Sequence, residues 1–292
     1  MILSLRQRHG TSDPMPARRV GAPLIAALAL AVLAVGCAEN GDGQPTGRIV
    51  MYDDSGVILD PAAGGKAQPF AIDDAFEVAF TPDASRVAFS SERGIALMTV
   101  RDGRATLIPN QPPQDRFLSG DISWAPDGRS LAFANDETIF TISIDGSDLR
   151  DVTRGSQPSW APDGEHIVFV SDWDVNTGVG DIAVVRVDGT GRRVLGRGDS
   201  PAVSPTGDTI AYSTSDGVFV QPLDGGARRL VVRDGFGPVW SPDGSFLAFT
   251  RHTSCGHAAC SGRVFVMPVQ GGEPRAIGPT MFDPGGPEDW IR

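Results

Sequence analysis

The chain has 292 residues, and its 40 % hydrophobic content is enough to build a core, which excludes disorder for most of its length. Its 25 Lys and Arg are outnumbered by 36 Asp and Glu, giving a net charge of -11, opposite to the footprint of a protein that grips nucleic-acid phosphates, so no nucleic-acid partner is expected. Gly and Pro, 36 and 23 in number, make about a fifth of the chain, which implies many turns, few long helices and an all-β fold.

At the N-terminus, Arg6, Arg8, Arg18 and Arg19 precede an apolar run from Ala22 to Val35. The run is short for a membrane span and suits the core of a signal peptide. It ends at Ala34-Val35-Gly36-Cys37, which resembles the bacterial lipobox. That resemblance implies export by the general secretory route, removal of residues 1–36 and lipid attachment at Cys37; ordinary cleavage beside an unmodified cysteine is the alternative. The remaining chain carries 21 basic and 35 acidic side chains, a net charge of -14. Anionic lipid would repel it, so residence at the extracytoplasmic face of the cell membrane would come from the acyl anchor alone. Residues 37–46, with Gly, Asn, Asp and Pro, form a flexible tether, and residues 47–292 form one domain.

Within that domain one pattern recurs: Phe80-Thr81-Pro82-Asp83-Ala84, Trp124-Ala125-Pro126-Asp127-Gly128, Trp160-Ala161-Pro162-Asp163-Gly164, Val203-Ser204-Pro205-Thr206-Gly207 and Trp240-Ser241-Pro242-Asp243-Gly244. The prolines are 44, 36, 43 and 37 residues apart, near the period of a four-stranded propeller blade. Pro presets the first corner of a tight turn, Asp bonds a nearby backbone N–H, and Gly takes the φ > 0 position, so each copy predicts a hairpin turn. Ala84 stands where the other copies have Gly, which predicts a looser turn there. The three tryptophans hold a fixed motif position and are read as core.

Each turn leads into an apolar triplet: Val87-Ala88-Phe89, Leu131-Ala132-Phe133, Ile167-Val168-Phe169, Ile210-Ala211-Tyr212 and Leu247-Ala248-Phe249. A strand apolar at all three positions must be covered on both faces. A further strand ends in a glycine turn near Gly103, Gly146, Gly189, Gly226 and Gly272, and a polar, Arg-bearing strand follows, suited to a solvated outer edge. Ile49-Val50-Met51 aligns with the triplets, whereas Met281-Phe282-Asp283-Pro284-Gly285-Gly286 is a worn copy of the turn motif at the far end. The fold expected is therefore a six-bladed β-propeller of four-stranded antiparallel blades, in which N- and C-terminal strands share one blade and leave no open edge.

The Ser-Pro-Asp-Gly, Ile-Ala-Phe and Asp-Gly-Gly series resembles the WD40-like β-propeller repeat of the TolB type, from Gly47 to Arg292. The resemblance implies the propeller fold. It does not fix a function, because propellers serve as docking platforms, ligand binders and enzymes. TolB itself carries an additional α/β domain before its propeller, so the partners of the Tol system are not carried over.

In such blades the stereotyped turns share one end, and the variable segments Asp172 to Gly180, Arg251 to Gly262 and Asn110 to Phe117 fall at the other, where a partner site is expected. His252, Cys255, His257 and Cys260 lie within nine residues. An oxidising compartment favours a disulfide between Cys255 and Cys260; a tetrahedral zinc or copper site is the alternative. Asp172-Trp173-Asp174 begins like a calcium-binding EF-hand loop, but the glycine comes one place late and Ala183 holds the twelfth position, so a solvated loop is the better reading. Trp173 serves as an aromatic anchor for a partner, or packs on a neighbouring loop. Asp172, Trp173, Asp174, His252 and His257 are accordingly the candidate partner-binding residues.

No Gly-x-Ser-x-Gly elbow, phosphate loop or His-Glu-x-x-His sequence occurs, and no cofactor is implied. The expected function is a non-catalytic, lipid-anchored, monomeric docking module for an envelope protein or glycan. The alternative is a metal-dependent hydrolase or lactonase, which would gather three or more carboxylate or Asn side chains at the axial channel.

Overall fold

The computed structural model describes residues 45, 47–53, 56–62, 68–70, 72, 75, 77–81, 83–112, 122–174, 177–255, 260–282 and 289–291. Cys37, the signal segment and the tether up to residue 44 lie outside them. Among the described residues there are 23 strands, all paired antiparallel, in four sheets of four strands and one of seven. In chain order the four-stranded sheets hold β1 (Arg48–Asp53), β2 (Gly56–Pro61) and β3 (Gln68–Phe70); β4 (Glu77–Phe80) to β7 (Ala105–Leu107); and β8 (Ile122–Trp124) to β11 (Arg150–Arg154). The seven-stranded sheet runs from β12 (Ser156–Trp160) to β18 (Arg229–Arg233), and the last four-stranded sheet from β19 (Phe236–Trp240) to β22 (Arg275–Phe282). The seven-stranded sheet is two ladders joined end to end through β15 (Arg193–Val203), whose first half pairs with β14 (Val179–Arg186) and second half with β16 (Thr209–Thr214).

The apolar triplets are buried on both faces, and their packing follows residue size. Leu131 and Phe133 lie against Ala88 of the preceding ladder, whereas their own neighbour Ala132 receives Ile167 and Phe169 from the following one. Ile210 and Tyr212 likewise meet Val168, and Leu247 and Phe249 meet Ala211. Large side chains thus fill the room left by a small one opposite, the interdigitation that close packing requires. Each fully buried Ile, Leu or Phe contributes about 1.5–3 kcal/mol of burial. Ile49 joins the cluster of Phe246, Ala248 and Val264, and Val50 joins that of Val78, Val87 and Phe89.

The first strands of the ladders touch one another in turn: β4 with β8, β8 with β12, β12 with β15, β15 with β19, β19 with β23 (Asp289–Ile291), and β23 with β4. Polar groups tie them. The indole N–H of Trp124 donates to the Ala79 carbonyl at 2.9 Å and that of Trp240 to the Ala202 carbonyl at 3.0 Å. Backbone N–H groups of Trp160 and Val203 donate to the hydroxyls of Ser123 and Ser159. The tryptophans are therefore core residues with a directed bond, except that Trp160 finds no acceptor for its indole N–H.

The outer strands are largely exposed, but their arginines are not idle surface charges. Arg193 donates to the carbonyls of Leu223 and Asp224, Arg229 to Val269, and Arg275 to Ala62 at 2.5 Å. Each guanidinium caps the turn that follows the third strand of the next ladder. Charged donors to backbone carbonyls are worth about 1.5–3 kcal/mol when shielded from water.

The motif turns close as expected, with N–H to carbonyl bonds such as Gly128 to Ala125 at 2.9 Å and Gly244 to Ser241 at 2.8 Å. Ala84 does not loosen its turn: it adopts φ 53° and bonds Thr81 at 2.7 Å. Its methyl is buried among Phe80, Val87 and Met98, which offsets the left-handed strain. Asp83 accepts from Thr81 and Ser85, and these bonds hold its carboxyl below the usual carboxylate range. In the fourth copy, where Thr206 replaces the aspartate, Asp208 supplies the missing carboxylate by accepting from the Thr206 hydroxyl at 2.6 Å.

The strand beside β1 differs from the sequence expectation. Phe282 ends β22 opposite Ser261, and β1 pairs instead with β23, with Ile49 opposite Trp290. Trp124 opposite Leu131 and Trp240 opposite Leu247 show the same register. Trp290 thus holds, opposite Ile49, the register position that Trp124 and Trp240 hold in their ladders, although its partner strand lies far away in sequence.

One short turn is strained. Between β9 (Ser130–Asn135) and β10 (Thr138–Ser143), Asp136 and Glu137 take φ 46° and 59°. The corresponding two-residue turns, Glu92-Arg93 and Ser215-Asp216, put their positive φ on the glycine that follows, Gly94 at 115° and Gly217 at 134°, where this ladder has Thr138. Glu137→Gly is expected to stabilise the protein by about 1 kcal/mol, read as a higher urea midpoint at unchanged slope. The exposed Arg154–Glu137 ion pair that it removes, at 84 % and 78 % side-chain exposure, offsets little of this gain.

Candidate functional site

An antiparallel meander puts the turns after the first and third strands at one end and the second-to-third turns, with the connections between ladders, at the other. Two hairpins dominate that second end, here called the loop end. β13 (His166–Asp174) and β14 span nine and eight residues, and β20 (Phe246–Cys255) and β21 (Cys260–Pro268) span ten and nine, against six in the corresponding strands of the other ladders. In these two hairpins most of what the sequence marks as variable loop is therefore extended ladder. Asp172, Trp173 and Asp174 belong to β13, and residues 251–255 to β20.

The β13–β14 tip is built around an irregular rung. Asp172 adopts φ 51°, and the register shifts between Ser171 and Asp174. A β-bulge of this kind turns the following side chain away from the ladder. Arg192 holds the bulge, donating to the Ser171 hydroxyl at 2.7 Å and to the Asp172 carboxylate at 3.0 Å. Both partners of the ion pair are exposed, so it contributes at most about 1 kcal/mol, and its role is to fix direction. The tip closes with Gly178 N–H on the Asp174 carbonyl at 2.8 Å. Gly180 lets the strands approach, since a Cβ there would lie 2.5 Å from the Ser171 carbonyl oxygen. On this frame Trp173 is 46 % exposed.

The β20–β21 hairpin carries the other candidates. The His252 ring packs on Phe236 with centroids 4.6 Å apart. Arg251 lies over Phe249 and Phe265 at 5.7 and 5.5 Å and donates from Nε to the Arg233 carbonyl. Cys255 stands opposite Cys260 in the register; His257 and the rest of residues 256–259 lie outside the described residues. Trp173 and His252 occupy hairpins of different ladders, with the β15–β18 ladder between them in chain order. Among the described residues no three His, Cys, Asp or Glu side chains gather to hold a metal ion.

A feature the sequence reading missed lies where three consecutive first strands begin. Gln157, Ser200 and Gly237 take φ 53°, 49° and 59°, and each sits in a register shift of its strand. The bulges are linked: Ser200 N–H donates to the Gln157 side-chain carbonyl at 2.7 Å, and Gly237 N–H to the Ser213 hydroxyl at 2.9 Å. Between them, burial pushes the Asp199 carboxyl up, and bonds from the Ser200 and Ser213 hydroxyls offset this only in part. A carboxyl whose charged form is disfavoured by burial is the kind of group that clusters at functional sites. The signal was present in the sequence: Gly155, Gly198 and Gly235 each stand five residues before the motif's Trp160, Val203 or Trp240, with Pro158, Pro201 or Pro238 between. Proline in a strand marks a bulge.

Comparison with known proteins finds no matching family model and no matching curated protein. Solved structures do match. TolB from Acinetobacter baumannii superimposes with a TM-score of 0.62 at 20 % identity, over 84 % of this chain and 66 % of that one, so the chain spans just under two thirds of its length. A putative TolB from Agrobacterium tumefaciens gives 0.61 at 18 % identity, over 84 % and 92 % of the two chains. An oligogalacturonate lyase in complex with manganese gives 0.51 at 17 % identity, over 82 % and 75 %. These likenesses show the fold, a WD40-like β-propeller of the TolB type.

Proposed function

We propose that this chain is a lipid-anchored, extracytoplasmic docking propeller, monomeric and non-catalytic, that presents its loop end to an envelope protein. Six four-stranded blades make the ring, with the seven-stranded sheet supplying two and β23 completing the first. Support for the closure comes from the β1–β23 pairing, from Ile49 packing with Phe246 and Val264, and from Arg275 capping the Ala62 carbonyl. Cys37 is the proposed anchor, and the sequence around it carries that part.

Trp173 carries the docking reading. Large aromatic side chains on rigid frames dominate protein interfaces, and here a bulge fixed by Arg192 holds a half-exposed tryptophan clear of its own ladder. His252 and Phe236 add a second aromatic surface at the same end. The alternative, an enzyme at the channel, would gather at least three carboxylates there; Glu77 and Asp199 stand at the start of inner strands in two of the ladders.

Trp173→Ala is expected to weaken partner capture about 30-fold, the loss of a typical central aromatic anchor, with an unchanged thermal midpoint. The measurement is photo-crosslinking in intact cells from a probe placed at residue 177, followed by titration of the captured protein. Undiminished capture by the variant, or capture only from probes at the Asp127 and Asp243 turns, would overturn the reading.

A further inference from the structure

Arg251 stands directly opposite Arg263 in the β20–β21 register. Opposite residues of an antiparallel ladder share a face, so both side chains rise from the same side of the hairpin. Phe249 opposite Phe265 forms the next apolar rung on that face, and Arg251 lies over both rings. Like charges set opposite each other weaken a ladder, and a guanidinium stays charged throughout the physiological range. A carboxylate between the two would relieve the repulsion. Among the described residues neither arginine has an ion pair. Their bonds go to neutral carbonyls instead, from Arg251 Nε to Arg233 and from Arg263 Nη2 to Gly278 at 2.8 Å. The Nε–H of Arg263 is buried and has no acceptor among the described residues. A buried charged donor left unmet is costly, and here it adjoins a second cation, so the missing partner is an anion from outside the ladder.

The surroundings select the kind of anion. Other turns at the loop end expose carboxylates, at Glu92, Asp136, Asp216 and Asp234, and the chain is acidic overall. That field repels an extended polyanion such as an anionic lipid surface, whereas a single carboxylate meets the two arginines alone. We propose that Arg251 and Arg263 form a carboxylate-binding site beside the half-buried Phe265 ring. Planar guanidinium forks take both oxygens of such a group at once. The carboxylate belongs to an acidic side chain of a docked protein or to a small diffusible acid; the first source rests on the docking function proposed above, and the second does not.

The probe is acetate, titrated into the full chain at constant ionic strength in exchange for chloride, with the backbone amide and Nε–H signals of Arg251 and Arg263 followed by NMR. Both residues should respond together and reach half-saturation at about 5 mM. Arg251→Gln and Arg263→Gln should each weaken acetate binding about tenfold, read from the amide signals at 251 and 263, and Arg263→Lys, which keeps the charge without the fork, should restore only part of it. Photo-crosslinking in intact cells separates the sources. A tenfold drop in partner capture by Arg251→Gln assigns the carboxylate to the docked protein, and unchanged capture with acetate binding lost assigns it to a diffusible acid. No saturable response in the unaltered chain, undiminished affinity in both glutamine variants, or attachment of the chain to phosphatidylglycerol vesicles through these arginines would each overturn the site.

Discussion

Ending the chain at residue 287, so that β23 is absent, is expected to cost about 4 kcal/mol or more and to produce association at micromolar concentration. Three register pairs, from Arg48 opposite Ile291 to Val50 opposite Asp289, lose their backbone bonds at about 1 kcal/mol net each. Ile49 and Val50, both at 0 % exposure, then lie on an uncovered edge strand, and re-exposing part of either forfeits about 1 kcal/mol more. The exposed rim of β1 is a template for another chain. Urea denaturation and light scattering read the two effects. A truncated chain with the original midpoint and no association would mean that β23 does not close a ring, and the six-blade reading would fail with it.

Much of the fold was legible because repetition multiplies weak signals. One Pro-Asp-Gly turn predicts little, but five copies, each followed by a triplet such as Leu131-Ala132-Phe133, predict a period, a two-faced strand and a stacked arrangement. What failed did so where the local rule no longer applied. The strand beside Ile49 is expected from a turn motif at Met281 to Gly286, yet the partner opposite Ile49 is Trp290, beyond that motif. Asp172 to Asp174 suggest a loop in the sequence because of their polar residues and Gly178; in the fold, bonds from Arg192 to residues 20 and 21 positions away stabilise a bulge within a strand. Asp199 went unnoticed because its burial, and its bond to Ser213 on the opposite strand, arise only in the folded chain and lie outside any local window. The arginines of the outer strands were seen as edge polarity, and only the packing of ladders reveals the carbonyls that they cap.

Gly198→Ala is expected to destabilise the protein by about 3 kcal/mol, although the change adds one methyl group. No left-handed backbone is involved at this position. The restriction is contact, since a Cβ there would lie 2.3 Å from the Ser213 carbonyl oxygen and 2.7 Å from a ring carbon of Tyr212. Tyr212 cannot retreat, because it is fully buried, stacked on Phe219, and held by a 2.9 Å bond from its hydroxyl to Gln221. Overpacking against an immobile neighbour falls at the upper end of the usual 1–3 kcal/mol. Gly155 against Phe169 and Gly235 against Phe249 repeat the contact, so the same substitution at Gly235 should cost a similar amount. Gly103→Ala separates this cause from loss of glycine as such: its Cβ meets nothing within 4 Å, and φ 63° alone sets a cost of about 1 kcal/mol. Equal midpoints for the Gly198 and Gly103 variants would show that the strand start yields. A large gap would mean that close contact between glycine and aromatic ring sets the path of the chain into Asp199 and Ser200, and so positions the linked bulges at the loop end.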